Sequence, residues 1–185
     1  MEPYATRNKS LLHRLPVREV TFLPIQPIDP LALEQIANEL RSRGVAVNLE
    51  RPSLRPRDSY DARRRQFNAE ALLERVALCA ARPVLAVTDG DCYAGKVNFV
   101  FGIADVGGGT AVVSLHRLRA NATQSTFLGR AMKEIFHELG HAHGLAHCAN
   151  PRCVMHFSNS LAETDAKEEL LCAACVRRLS TEASG

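Results

Sequence analysis

One stretch constrains this chain more than any other: His137-Glu138-Leu139-Gly140-His141-Ala142-His143-Gly144-Leu145-Ala146-His147. It reads His-Glu-x-x-His followed by x-x-Gly-x-x-His. Residues four apart on a helix share a face and lie about 6 Å apart along the axis. His137 and His141 can therefore each aim a ring nitrogen at one metal ion. A third histidine ten positions after the first would lie roughly 15 Å along a straight helix, whereas zinc takes its nitrogens at about 2.1 Å. The helix has to stop and the chain has to turn back. Gly144 supplies the stop, because glycine takes the left-handed conformation of a helix C-terminus without penalty. His147 then completes three neutral imidazoles with a fourth position open to water, the donor set of a catalytic rather than a structural zinc. Glu138 is placed to take a proton from that water as general base. A bare His-Glu-x-x-His arises by chance in many helices; the glycine break and the third histidine make the extended form far more specific.

Six cysteines occur, Cys79, Cys92, Cys148, Cys153, Cys172 and Cys175. The last four are spaced Cys-x4-Cys, 18 residues, Cys-x2-Cys, close to the spacing of a four-thiolate zinc site. Such a set leaves no open position and is structural, so two zinc ions per chain are expected, one catalytic and one structural. Binding of this kind is worth on the order of 10 kcal/mol to a fold. The segment after Gly144 is too small to hold a core unaided and should depend on it. Cys172 and Cys175 are expected on one helix face, on a helix capped by Thr164. Cys148 follows His147 directly, and neighbours in extended chain point to opposite sides, so one strand of backbone would serve both metals. Cys79 reads as a core residue and Cys92 as a loop thiol.

The chain has 185 residues, 46% hydrophobic and 23% charged, which suits one globular domain. No apolar run approaches the roughly 20 residues of a membrane span. No basic-then-apolar leader opens the sequence, and a cytoplasmic, monomeric protein without a membrane partner is expected, or else a mature form cut from a precursor. A net charge of +3 is too small to indicate nucleic acid. Residues 51–65 concentrate Arg51, Arg55, Arg57, Arg63, Arg64 and Arg65 against Asp58 and Asp61. With only Tyr60 available for stacking, this reads as a solvated loop rather than a phosphate site.

After a polar lead-in (residues 1–16), β-branched and apolar runs predict strands at residues 17–25, 45–49, 83–88, 97–102 and 110–118. Helices are predicted from Asp29-Pro30 to Arg43, with Asp29 as cap and Gly44 as stop, and over residues 68–81. The long helix starts near Thr123 or Ser125 and ends at the histidines. The β-α-β-α-β order implies parallel strands with crossover helices, and Gly107-Gly108-Gly109 implies a hairpin, hence a mixed sheet. The fold class is α/β (α+β).

The blocks Arg65-Gln66-Phe67-Asn68, Thr88-Asp89-Gly90-Asp91-Cys92-Tyr93, Asn98-Phe99-Val100-Phe101-Gly102, Val113-Ser114-Leu115 and Cys153-Val154-Met155, with the zinc helix, resemble the archaemetzincins, a metzincin-type zinc peptidase family. The resemblance covers roughly residues 17–179. It implies a single catalytic domain, residues 1–185, with an upper subdomain of twisted mixed sheet and helices (1–144) and a small zinc-stabilised helical lower subdomain (145–185). It implies a Met-turn at Met155, whose side chain floors the metal without binding it. It also implies a peptide or protein substrate held by main-chain pairing along an edge strand within residues 97–101. Two residues after the Met-turn methionine, where some metzincins carry a tyrosine, this chain has Phe157. A zinc-binding protein that binds peptides with weak or no turnover is the alternative; retention of Glu138, which metal binding does not need, argues against it. A four-cysteine adaptor would want basic and aromatic residues around Cys148–Cys175, where Glu163, Asp165, Glu168 and Glu169 are instead mixed with Arg152, Lys167, Arg177 and Arg178. His143 and His156 are not expected to be ligands.

Overall fold

The computed structural model describes residues 17–51, 57–78 and 82–182; Cys79, Arg55 and the polar lead-in lie outside these. Strand β1 (Glu19–Pro24) leads through Asp29 into helix α1 (Pro30–Ser42), where the Asp29 carboxylate accepts from the Leu31 amide and Pro30 opens the first turn. Gly44, at φ +85°, ends it, and β2 (Ala46–Leu49) returns parallel to β1. Short strands β3 (Tyr60–Asp61) and β4 (Gln66–Asn68) precede α2 (Ala69–Val76), β5 (Val84–Thr88) and β6 (Cys92–Tyr93). Then come β7 (Gly102–Asp105), β8 (Thr110–Ser114) and the long helix α3 (Gln124–Ala142), capped by the Thr123 hydroxyl. Helices α4 (Leu161–Ala166) and α5 (Ala173–Glu182) follow.

The main sheet has the order β2-β1-β5-β8-β7, parallel except for β7. Its alternation feeds two cores. Phe22, Leu85, Val87, Ala111 and Val113 face α1 and α3, meeting Ile36, Leu40, Met132, Ile135 and Leu139. Leu23, Val84, Ala86 and Val112 face α2, meeting Leu72 and Val76. The result is a three-layer mixed α/β fold with α3 laid across β7 and β8. No helix among the described residues is long and apolar enough to cross a membrane.

Several expectations need correction. Of the strand predicted over residues 97–102, only Phe101, through the Ser114 amide, and Gly102 reach β8, and the paired strand runs on to Asp105. Phe101 turns into the core, Phe99 lies 5.2 Å from it, ring to ring, and Val100 makes an isolated bridge to Cys92. The apolar run there is packing, not ladder, so the sheet edge is β7. Strand β8 stops at Ser114, four residues short of the predicted end, and Arg117–Arg119 form a 3-10 turn. Helix α2 stops at Val76 rather than at residue 81. Cys92 is not a loop thiol: it sits in β6, 1% exposed, and burial pushes its pKa up to about 12. Thr164 caps nothing; Ser160 caps α4, Thr164 is buried inside it, and Cys172 precedes α5 while Cys175 lies in its first turn. The chain breaks between the two helices because Lys167 turns extended (ψ 155°) and its side chain points inward.

Candidate metal centre and cleft

Helix α3 carries His137 and His141 on its buried face and ends at Gly144, φ +95°. Its last carbonyls are not left orphaned: the Gly107 amide donates to His141 O (2.9 Å) and the Gly109 amide to Ala142 O (3.1 Å). The β7–β8 turn thus caps the helix, and the reversal at Gly144 brings His147 back beneath it.

The three imidazoles converge, with one ligand atom of each lying within 4.8 Å of the others. Nε2 of His137 and Nε2 of His141 are 3.1 Å apart, against roughly 3.3 Å for the edge of a tetrahedron with zinc–nitrogen bonds near 2.05 Å. His137 Nδ1 donates to Val154 O (2.8 Å) and His141 Nδ1 to Leu145 O (2.6 Å). A carbonyl can only accept, so both Nδ1 atoms carry the proton and both Nε2 lone pairs face the shared point. Burial, reinforced by the nearby Lys167 ammonium, lowers the pKa of all three histidines, that of His137 most, and favours the neutral form that metal binding needs. These donors fit a zinc ion.

Glu138 and the histidines line a cleft of about 380 Å³ whose other wall is Phe101–Ala104 and Val106, with Phe157 and Ser158 at its rim. Burial, followed by the charge of Glu134, holds the Glu138 carboxyl well above the usual range. The phenyl ring of Phe157 stands 5.2 Å from the His147 ring, in an edge-on contact, and is half exposed. Met155 is fully buried, and a Cβ on Gly140 would lie 2.3 Å from its sulfur. Glycine inside a helix costs about 1 kcal/mol relative to alanine; here it lets Met155 pack under the helix beside His141. Gly140→Ala is expected to cost about 1–3 kcal/mol by overpacking, more than its gain in helix propensity, so its thermal melt should fall. A rise in Tm would remove Met155 as the reason for the glycine.

Two charged residues at the cleft escaped the sequence reading. Glu134, 3% exposed, lines the cleft and accepts from Thr164 Oγ1 (3.1 Å), while Lys167 Nζ, fully buried, lies 2.9 Å from the same oxygen. The contact of Lys167 is an ion pair off hydrogen-bond geometry. Glu134 precedes His137 by three positions and so shares its helix face, a signal the sequence does carry; nothing local marks Lys167. Lys167→Met alone should cost about 3–5 kcal/mol by stranding a buried carboxylate, and Glu134→Gln added to it should restore most of that, read by chemical denaturation. Two full, additive losses would deny the pairing.

On the far side of the reversal, Cys148, Cys153, Cys172 and Cys175 bring their sulfurs within 4.8 Å of one another. Cys148–Cys172 and Cys153–Cys175 are 3.7 and 3.8 Å apart, too far for disulfides and close to the roughly 3.8 Å edge of a zinc–thiolate tetrahedron. Burial raises the Cys153 and Cys175 thiols. Burial acts the same way on Cys172, but the first amides of α5 and the neighbouring thiols outweigh it and bring its pKa to about 6. This donor set also fits zinc. His143 and His156 stay outside both sets: their Nδ1 atoms donate to Leu139 O (2.7 Å) and Cys148 O (2.9 Å).

The family model described as Peptidase family M54 matches residues 58–181. The chain is 43% identical over 130 residues to the archaemetzincin of Pyrococcus furiosus, covering 65% of this chain and 68% of that protein. It is 37% identical over 179 residues to the archaemetzincin of Thermococcus kodakarensis, covering 88% and 96%. Among solved structures, the archaemetzincin of Methanopyrus kandleri matches with TM-score 0.80 at 32% identity, covering 98% of this chain and 100% of that one. That of Archaeoglobus fulgidus, complexed with malonate, gives 0.78 at 35%, covering 86% and 99%. Fold and family together define a zinc-dependent metallopeptidase. The chain belongs to peptidase family M54, the archaemetzincins.

Proposed function

We propose that the chain hydrolyses peptide bonds, with Glu138 as general base and with His137, His141 and His147 holding one zinc. Cys148, Cys153, Cys172 and Cys175 hold a second, structural zinc. The observation that carries this reading is the pair of carbonyl-locked imidazoles beside a buried carboxylate, on the wall of a cleft whose opposite wall is a sheet edge. When bound, zinc at the histidines supplies a Lewis acid that acidifies water and polarises a carbonyl.

The protein's own residues supply the rest. The Ser114 amide donates to Phe101 O (2.8 Å). By the alternation of an antiparallel ladder, Phe101, Ile103 and Asp105 pair inward, and Gly102 and Ala104 turn their N–H and C=O groups outward. An extended peptide pairing there lies along the cleft within reach of Glu138. Glu138 takes the proton of the attacking water and delivers it to the leaving amine. We read the part up to Gly144 as the upper subdomain, presenting the substrate edge, and the part beyond it as the lower subdomain, stapled by the thiolate site.

The test is cleavage of a mixed peptide library by the zinc-reconstituted chain, read by mass spectrometry. Defined cleavage products that disappear when zinc is removed support the reading. Intact peptides with both sites filled would leave a peptide-binding protein without turnover, a role that fits the absence of a hydroxyl at Phe157.

A further inference from the structure

The mechanism above gives Glu138 a task that depends on where its carboxylate stands, yet no hydrogen bond from any described residue holds that carboxylate. What fixes it is space. Glu138 is 4% exposed and lies against the first residue of β7. A Cβ built on Gly102 would come 2.5 Å from Glu138 Cγ, 2.7 Å from Cδ and 2.6 Å from Oε1. No carbon tolerates such approaches, so the Glu138 side chain occupies the volume that any other residue at 102 would fill.

Gly102 has no backbone need to be glycine. Its φ lies outside the left-handed region, unlike Gly107 at +77° or Gly109 at +73°. Within a strand glycine is unfavourable by roughly 0.5–1 kcal/mol relative to alanine, a cost that nothing in the ladder with Val113 repays. The three nearest atoms that an alanine methyl would strike all belong to the side chain of Glu138, so the methyl and that side chain cannot both keep their places.

We propose that Gly102 is a positioning residue: the missing side chain at this point of the sheet edge is the socket that seats the carboxylate of Glu138. This rests on the reading of Glu138 as general base. The same residue turns its own N–H and C=O toward the cleft, so the socket and the first substrate-pairing position coincide. The distance from base to scissile bond is then set by one residue of β7.

The test uses the full chain loaded with zinc. Gly102→Ala should leave zinc content and KM within about twofold of wild type, with Tm lowered by no more than about 8 °C, the range of ordinary overpacking. Its kcat should fall about 10²-fold, the effect of displacing a reacting group by about 1 Å. Glu138→Ala removes every one of the three atoms that the new methyl would strike. The double variant Gly102→Ala/Glu138→Ala should therefore be no slower than Glu138→Ala alone. Wild-type kcat in Gly102→Ala would overturn the proposal, and so would a loss that adds in full on top of Glu138→Ala. A Gly102→Ala chain that does not fold or load zinc would overturn it too, because more than one side chain would then be displaced. Full activity in Glu138→Ala is a separate result: it would remove the base assignment itself, whereas an inactive Glu138→Ala beside a normal Gly102→Ala would remove only the socket.

Discussion

Replacing Glu138 with glutamine is expected to lower kcat for peptide cleavage by about 10²–10⁴-fold, the usual worth of a positioned general base, while zinc stays bound at the histidines. Glutamine has the shape of glutamate, so it fits the same space beside Gly102 and against Glu134, and the substitution separates proton transfer from packing. His137 and His141 keep their partners, since Val154 O and Leu145 O hold them independently of residue 138. Metal analysis should therefore match wild type, and substrate affinity should change little. Activity retained near the wild-type level would assign the proton transfer to another group.

A second large effect is expected at the thiolates. Cys153→Ala removes one of four donors, and a four-thiolate site of this kind contributes on the order of 10 kcal/mol to folding. The damage should reach the histidines by two routes. His147 and Cys148 are adjacent, and the Cys148 amide donates to Met155 O (2.9 Å). Val154, which follows Cys153, offers the carbonyl that fixes the tautomer of His137, and its own amide donates to Leu170 O (2.9 Å). Disturbing groups behind a metal ligand typically costs 10–100-fold in affinity. The variant should thus lose the second zinc, bind the first at least about tenfold more weakly, and expose the chain beyond Cys148 to proteolysis. Unchanged zinc affinity at the histidines would show the two sites to be independent.

Much of this arrangement was legible in the sequence because it is local. Asp29 and Thr123 cap their helices, and Gly44 and Gly144 end theirs, each through contacts a few residues long; the four cysteines gather over a longer stretch, Cys148 and Cys172 being 24 positions apart, but their paired spacing marks them. The parts that were not legible are set at long range. The run at residues 97–101 has the composition of a strand, but only its last residue, the buried Phe101, reaches β8, through the Ser114 amide, and the regular pairing runs on from Gly102 to Asp105. Thr164 has the residue type of a cap, yet its hydroxyl goes to Glu134, 30 positions away. Lys167 is charged and sits in a polar stretch, and only the buried carboxylate on α3 explains why it turns inward.

The cap that the β7–β8 turn places on α3 has a mechanical consequence. The sheet edge and the histidine helix are joined at the tip of the hairpin by two backbone hydrogen bonds and along their length by the core. These two walls of the cleft behave as one stiff body with no hinge between them. A bulky substrate cannot be admitted by parting them. Any widening has to come from the opposite rim, where Phe157 stands on a chain tied down by the thiolate cluster. The size of the aperture is therefore governed from the small C-terminal part, which carries neither Glu138 nor the pairing edge β7.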